Sequence, residues 1–170
     1  SFAALKKDPS YLEKLSAVFN VRLCAIDDAS SPDRIVLLEA EPLAASVGTA
    51  CKRRNEREAS GDRGAYFKTD EGLLYVLLSD GMGSGDNAAK YSSDAVRILE
   101  RFLRSGVQPE TAVRMLNDLM LLKNEDDTGC ATVDLVCINL FTGSARMFKY
   151  GAAPSYLRSG KSVRRIKGKS

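Results

Sequence analysis

The run Leu73-Leu74-Tyr75-Val76-Leu77-Leu78-Ser79-Asp80-Gly81-Met82-Gly83-Ser84-Gly85-Asp86 passes from six consecutive apolar residues, through a carboxylate, to three glycines at alternate positions. Six apolar residues are too few to cross a bilayer and match a strand buried on both faces. The glycines permit a sharp turn, and an apolar-periodic segment over 87–104 then predicts a helix. Asp80 therefore stands at the mouth of a buried strand beside exposed backbone, which is a place to hold a hard cation.

The residues before this run strengthen that expectation. Ala65-Tyr66-Phe67 opens a short strand and Thr69-Asp70-Glu71-Gly72 makes a tight turn, so 65–68 and 73–79 form a predicted hairpin. Asp62 precedes its first strand and Asp80 ends its second. Both carboxylates then lie at one end of an antiparallel pair whose strands are about 5 Å apart, where they can share one ion or flank two. The Gly81 carbonyl adds a third oxygen, with no side chain to keep a cation away. Singly, Asp62 reads as a turn residue and Asp80 as a cap or turn residue. The hairpin geometry favours the metal reading for the two together.

Downstream, Asp86 is placed to cap a helix carrying Tyr91, Ala95, Ile98, Leu99 and Phe102 on one face. Ser105-Gly106 ends it, and a second helix starts at Pro109 with Ala112, Met115, Leu116, Leu119 and Met120 on one face. After a polar loop over 125–129, residues 131–141 and 145–151 read as a hairpin across Thr142-Gly143. Residues 155–158 and 163–166 read as another across Ser159-Gly160. Asp134 falls inside the first of these strands, where a carboxylate is costly without a partner, so either a structural partner or the site must claim it. Gly151-Ala152-Ala153-Pro154-Ser155 reads as a small-residue turn packing beneath the site.

Upstream, residues 8–19 predict an amphipathic helix with Asp8 as its cap and Pro9 at its first position, and Leu12, Leu15 and Phe19 on one face. Strands over 21–26 and 34–40 follow across an Asp-, Ser- and Pro-rich turn. Residues 43–53 read as a further strand with Ala45, Val47, Thr49 and Cys51 on one face. The order of elements is strands, two helices, then strands, which is α+β with antiparallel sheets rather than alternating βαβ units. Residues 1–40 are expected to be a linker or regulatory segment and 41–170 the main body. The start at Ser1-Phe2, without Met, suggests a piece of a longer chain.

Composition narrows the chemistry. A chain of 170 residues holds one well-filled core with a small appendage. Its net charge of +3 gives no argument for nucleic acid. Lys52, Arg53, Arg54, Arg57 and Arg63 form one basic cluster, and Arg158, Lys161, Arg164, Arg165, Lys167 and Lys169 another. Both read as solvated faces. Cys24, Cys51, Cys130 and Cys137 show no CxxC pair and no zinc spacing. Most lie in apolar runs, where Cys acts as a small hydrophobe, and a reduced, cytoplasmic compartment fits them. The sequence shows no signal peptide and no run of transmembrane length. The absence of histidine removes Ser-His-Asp and Cys-His catalysis and HExxH metal sites. Carboxylates, backbone and bound metal must do the chemistry.

The glycine run has a competing reading. Gly83-Ser84-Gly85-Asp86-Asn87-Ala88 matches G-x-G-x-x-A between a strand and a helix, the dinucleotide fingerprint. Asp80 and Asp86 would set negative charge against a pyrophosphate, and the position about 20 residues on, where an acidic residue should end a second strand, falls in a helix. No Gly-Lys-Ser/Thr follows to make a P-loop.

Ser60-Gly61-Asp62, Ser79-Asp80-Gly81-Met82-Gly83-Ser84-Gly85, Ala131-Thr132-Val133-Asp134-Leu135 and Gly151-Ala152-Ala153-Pro154-Ser155, in that order, resemble the metal-dependent protein phosphatases (PPM family), in particular the stage II sporulation protein E branch. The resemblance runs from about Leu43 to the C-terminus. It implies a PPM-type antiparallel β-sandwich flanked by helices, with two Mn²⁺ or Mg²⁺ ions and a metal-activated water attacking phosphoserine or phosphothreonine. It further implies that Asp80 bridges the ions, the Gly81 carbonyl binds one of them, and Asp62 is a direct or neighbouring partner. Asp80 and Asp62 are thus the expected catalytic residues. Arg57, five residues before Asp62, occupies the position of a phosphate-binding arginine in eukaryotic relatives.

The implied substrate is a phosphoprotein, a small anti-anti-sigma-type regulator. The helices over 87–123 correspond to those thought to switch the metal site, and they or residues 1–40 could form a homodimer. The parent protein is expected in the cytoplasm, with any membrane anchor outside this chain. Two further aspartates of the family's metal site, in later Asp-Gly and Asp-Asp or Asp-Asn motifs, have no counterpart before Ser170. The C-terminal part of the domain is accordingly expected to be missing from this chain. The alternative is a non-catalytic, pseudophosphatase interaction module that binds a partner through the two helices. A dinucleotide-binding protein stands third.

Overall fold

The computed structural model describes residues 9–26, 35–51, 59–83, 85–123 and 130–168. The expectations for Asp8, the turn before 34, the basic run 52–57 with Arg57, and the loop 125–129 lie outside the described residues. The chain divides into two compact units, residues 1–44 and 45–170.

In the first unit, α1 (Pro9–Phe19) is followed by a two-stranded antiparallel sheet of β1 (Leu23–Ile26) and β2 (Val36–Glu39). Ser16 Oγ accepts a hydrogen bond from the Leu23 amide at 3.0 Å and so ties the helix to the first strand.

The second unit is built on an antiparallel sheet in the order β3 (Asp62–Lys68), β4 (Leu73–Asp80), β5 (Val133–Asn139), β6 (Ala145–Tyr150). Two helices, α2 (Gly85–Arg104) and α3 (Pro109–Lys123), stand between β4 and β5 in sequence, and a separate hairpin of β7 (Ser155–Ser159) and β8 (Ser162–Ile166) closes the described chain. This is the α+β arrangement with antiparallel sheets expected from the sequence. Among the described residues no helix is long and apolar enough to cross a membrane.

Register decides which side chains meet. Ala65 pairs with Leu77, Leu77 with Leu135 and Leu135 with Phe148; Phe67 pairs with Tyr75 and Tyr75 with Cys137. Because cross-strand partners project to the same side, these residues share a face, and it is the face that packs with Ala95, Leu99 and Leu103 of α2 and Ala112, Val113 and Leu116 of α3. The opposite face carries Tyr66, Val76, Val136 and Met147 in one row and Gly64, Leu78, Asp134 and Lys149 in the next.

Several expectations need correction. Residues 43–51 are irregular rather than a strand, and no described strand pairs with them. Strand β4 is buried on both faces only over part of its length: Tyr75 and Leu77 under the helices are 3% exposed, and on the other side Leu74 is 7% exposed whereas Leu78, nearer the Asp80 end, is 55% exposed. The buried stripe of α2 runs through Ala88, Ser92, Ala95, Leu99 and Leu103, so Tyr91, Ile98 and Phe102 flank it. Met115 and Leu119 of α3 are exposed, and Val113 takes the inward place instead. Cys24, Cys51 and Cys130 are exposed and Cys137 alone of the four is buried. Local apolar neighbours did not place the other three in the core. Asp86 lies within the first turn of α2 rather than before it, where its carboxylate still favours the helix N-terminus.

Candidate metal centre

Strands β3 and β4 end together, and Asp62 and Asp80 are direct register partners. Like charges opposite one another oppose sheet formation, so local structure must hold them there. It does so around Asp80. The Asp80 amide donates to Thr132 Oγ1 at 2.9 Å, and its carbonyl accepts from the Thr132 amide at 2.8 Å. Ser79, 2% exposed, donates its hydroxyl to the Thr132 carbonyl at 2.7 Å. Beyond the strand, the Gly81 amide reaches the Gly61 carbonyl at 3.1 Å and the Met82 amide the Cys130 carbonyl at 2.8 Å. The end of β4 is thereby fixed on one side to the start of β3 and on the other to the entry of β5. The sequence reading includes Thr132 in the Ala131–Leu135 motif but gives it no positioning role.

The glycines differ in what they do. Gly83 and Gly85 lie at φ values of 104° and 71°, which L-residues with side chains rarely adopt, and they make the turn into α2. Gly81 is required for another reason. A Cβ there would stand 1.9 Å from the Ala88 carbonyl oxygen, so its missing side chain admits the first turn of α2, and the expectation that it chiefly clears room for a cation is incomplete. A Cβ on Gly61 would lie 3.2 Å from the Gly81 carbonyl oxygen and 3.6 Å from Asp80 Oδ1. Two of the three candidate oxygen donors therefore face the same small cradle over Gly61.

The electrostatics match this crowding. The Asp80 carboxyl is held above the usual carboxylate range, first by partial burial and then by the charge of Asp62 and a hydrogen bond with it. Close carboxylates repel one another, and that repulsion disfavours the charged form of Asp80. A hard divalent cation removes the same repulsion and prefers these oxygen donors, so Asp62, Asp80 and the Gly81 carbonyl fit one. Among the described residues no group of three or more Asp, Glu, Cys or His side chains converges on a metal position, so the side-chain part of the donor set is this pair.

Asp134 is claimed by a different centre. Its Oδ2 accepts from Lys149 Nζ and from Ser155 Oγ, the latter at 3.0 Å, and Lys149 Nζ also donates to Ser155 Oγ at 2.8 Å. The Lys149 side chain is 2% exposed and that of Asp134 14%. Asp134 Oδ1 is buried without a hydrogen-bond partner among the described residues. The node joins β5, β6 and the first residue of β7, so the turn 151–154 serves to bring Ser155 back over the sheet. Lys149 is not among the residues that the sequence motifs point to.

Comparison with known proteins follows the same outline. The sequence profile of the family described as "Stage II sporulation protein E" matches residues 70–170, more than half of the chain. Stage II sporulation protein E of Priestia megaterium is 29% identical over 120 residues, covering 71% of this chain and 20% of the relative. That of Bacillus subtilis strain 168 is 29% identical over 121 residues, covering 71% of this chain and 14% of the relative. The chain thus spans a fifth or less of the length of these curated relatives. Among solved structures, the PP2C phosphatase domain of the Bacillus subtilis protein with a fragment of its regulatory domain superposes with a TM-score of 0.75 at 23% identity, over 95% of this chain and 49% of that one. The RsbU and RsbW domains of a Mycobacterium tuberculosis protein superpose with a TM-score of 0.58 at 18% identity, over 66% of this chain and 32% of that one. These likenesses establish the fold.

Proposed function

The chain belongs to the stage II sporulation protein E family, whose fold is that of a PP2C-type phosphatase domain, and we propose that it contributes half of the metal centre of a protein serine/threonine phosphatase. The reading extends to Mn²⁺ or Mg²⁺ as the ions, a small phosphorylated regulatory protein of the anti-anti-sigma type as the substrate, and Arg57 as a phosphate ligand. Residues 1–40 we take as the segment joining the domain to a regulatory part.

The observation that carries the proposal is the placement of Asp62 and Asp80 as register partners at the open end of a sheet. Asp80, clamped through its backbone by Thr132, and Asp62 would hold a divalent cation through their side chains and Gly81 through its carbonyl. Bound there, the cation supplies a water acidic enough to attack at neutral pH and screens phosphoryl charge. The chain's own residues set the position: the Thr132 hydrogen bonds fix the Asp80 backbone, and the absence of a Cβ at Gly61 keeps the cradle open. With no histidine in the chain, no side chain of this region is available as an imidazole base, and the carboxylates orient and hold rather than relay.

The test is Mn²⁺-dependent release of phosphate from a phosphoserine protein by the full-length parent, with Asp80→Ala and Asp62→Ala compared at matched folding. Activity that depends on Mn²⁺ and disappears in Asp80→Ala supports the reading. A folded, full-length parent that is inactive with Asp80 intact favours the alternative, a pseudophosphatase interaction module.

A further inference from the structure

The pairing of the sheet continues past the ends of its strands. Carried outward, the ladders that pair Leu78 with Asp134 and Val133 with Tyr150 set Asp80 opposite Thr132 and Thr132 opposite Gly151. The first juxtaposition is made by the two hydrogen bonds between Thr132 and the Asp80 backbone. The second is a close passage, since a Cβ built on Gly151 would lie 3.6 Å from Thr132 Cγ2. Thr132 thus stands between Asp80 and the turn that leaves β6, with its hydroxyl on the Asp80 amide.

The turn has little of its own to hold it in that place. Gly151 sits at a φ of 64°, Ala152 and Ala153 bring no polar side chain, and Pro154 has no amide hydrogen to donate. What holds it lies one row inward, in the node of Asp134, Lys149 and Ser155. Lys149 comes just before the segment 150–154 and Ser155 just after it. Lys149 Nζ donates to Asp134 Oδ2 and to Ser155 Oγ, and Ser155 Oγ donates to the same Asp134 oxygen. Both ends of the turn are therefore clasped to one carboxylate of β5, two residues from Thr132. An ion pair this far out of water adds little stability over apolar residues of the same size, and its best-attested use is to fix register.

We propose that this node is a positioning device for the Asp62–Asp80 end of the sheet. By clasping the turn at both ends it keeps Gly151 beside Thr132, and Thr132 in turn fixes the Asp80 backbone. Asp134, Lys149 and Ser155 are then positioning residues that act through Thr132. The consequence for a cation rests on the metal reading of that end, whereas the coupling itself rests on the contacts.

The experiment uses the 170-residue chain without metal, read by site-resolved amide hydrogen exchange, with urea unfolding to give the global stability of each variant. Ser155→Ala removes the hydroxyl that completes the clasp, and Ser155→Thr retains one. Lys149→Met with Asp134→Leu replaces the ion pair by apolar side chains and keeps the packing, so it carries the test should Ser155→Ala fail to fold. The expected result is exchange at the Asp80 and Thr132 amides faster by roughly tenfold, the weight of one lost hydrogen bond, in Ser155→Ala and in the double variant. Hydrogen-bonded amides in the middle of β4 and β5 should change little, and Ser155→Thr should stay close to the wild type. Acceleration spread evenly over the sheet, or unchanged exchange at Asp80 and Thr132 in a folded variant, would overturn the proposal.

In the full-length parent the same variants should raise the Mn²⁺ concentration for half-maximal phosphate release several-fold, with kcat at saturating Mn²⁺ largely recovered. A lower kcat with an unchanged Mn²⁺ requirement would overturn the link to the metal centre. Because exchange is read without metal or hydrolysis, an inactive parent removes the phosphatase reading and leaves the coupling standing. Unchanged exchange beside an active parent removes the coupling alone.

Discussion

Replacing Gly81 by alanine tests whether α2 is seated against the end of β4 as described. The added Cβ would stand 1.9 Å from the Ala88 carbonyl oxygen, 2.6 Å from its carbonyl carbon and 2.9 Å from its Cα. A carbon and a carbonyl oxygen approach no closer than roughly 3.2 Å without strong repulsion, so the two backbones must separate by more than about 1 Å. No flexible side chain can absorb this, since all three atoms are main chain and Ala88 is itself 1% exposed. Gly81 is absent from the glycines of positive φ, so backbone strain adds nothing and the effect is purely one of overpacking. Overpacking costs about 1–3 kcal/mol and occasionally more; a main-chain collision belongs at or above the upper end. At roughly 2–4 °C per kcal/mol for a chain of this size, the melting temperature should fall by about 6–12 °C. The assay is a circular dichroism melt of Gly81→Ala beside Gly48→Ala, where a Cβ meets nothing within 4 Å. A Gly81→Ala melt indistinguishable from the Gly48→Ala melt would refute the seating of α2 on β4. The turn after Asp80 would then have to be held by something other than the first turn of that helix.

The raised pKa of Asp80 gives a pH dependence with a definite sign. The folded chain holds that proton more tightly than the unfolded one, so the site is most favourable to folding at or below the ordinary value of 3.8 and loses that contribution as pH rises through the folded-state value. Asp80→Asn in EDTA should therefore raise the neutral-pH melting temperature and flatten its decline with pH; an unchanged or lower melting temperature would count against the carboxylate contact. Lys149→Met leaves Asp134 as a buried unpaired charge and should cost about 3–5 kcal/mol in urea unfolding, whereas Lys149→Met with Asp134→Leu should recover most of the loss. Equal destabilisation in the single and double variants would show that packing rather than charge is at stake. Burial and the neighbouring Cys137 push the Tyr75 phenol up to about 12. Replacement of Tyr75 by Phe should remove phenolate absorbance that appears only well above the ordinary value of 10.0 in an alkaline titration, and a midpoint near that value for the lost signal would place its ring outside the core.

What could be read in the sequence follows from where local pattern and tertiary environment agree. The hairpin of β3 and β4 was legible from the tight turn at 69–72, which brings Asp62 and Asp80 to one end; counting from that turn alone would set Asp62 opposite Ser79, and the pairing of Thr69 with Leu73 shifts the register by one residue to Asp80. The partner of Asp134 was not legible in the same way. A two-residue turn at Thr142-Gly143 would set Gly151 opposite Asp134, whereas the strands join through the four residues 140–143 and Lys149 takes that place. Where a strand stays open was not legible: Leu74 and Leu78 look alike in sequence and share a face, yet Leu74 is buried and Leu78 is exposed, and only the placement of the helices distinguishes Leu78 from Leu77. Residues 43–51 show the limit from the other side. Alternation of small apolar residues suits a strand, but a strand also needs a neighbour, and that is a property of the whole sheet.

The three aspartates on this sheet face make a single electrostatic argument when taken together. Asp62, Asp80 and Asp134 all project from the face away from the helices, as the register requires. Asp134 lies one row inward, and there the fold supplies its own cation, Lys149, almost wholly out of water. Lys149 and Asp134 form an ion pair with each other, so the pair is self-contained and offers no free charge to a ligand. Asp62 and Asp80 lie at the rim, and no described lysine or arginine forms an ion pair with either. Their repulsion is left uncompensated where solvent and ions can reach it. A fold that needed only stability would have placed a base there, as it did one row in. That contrast between neighbouring rows, drawn among the described residues, favours a cation at the Asp62–Asp80 end and leaves Asp134 to the support of the β7–β8 hairpin.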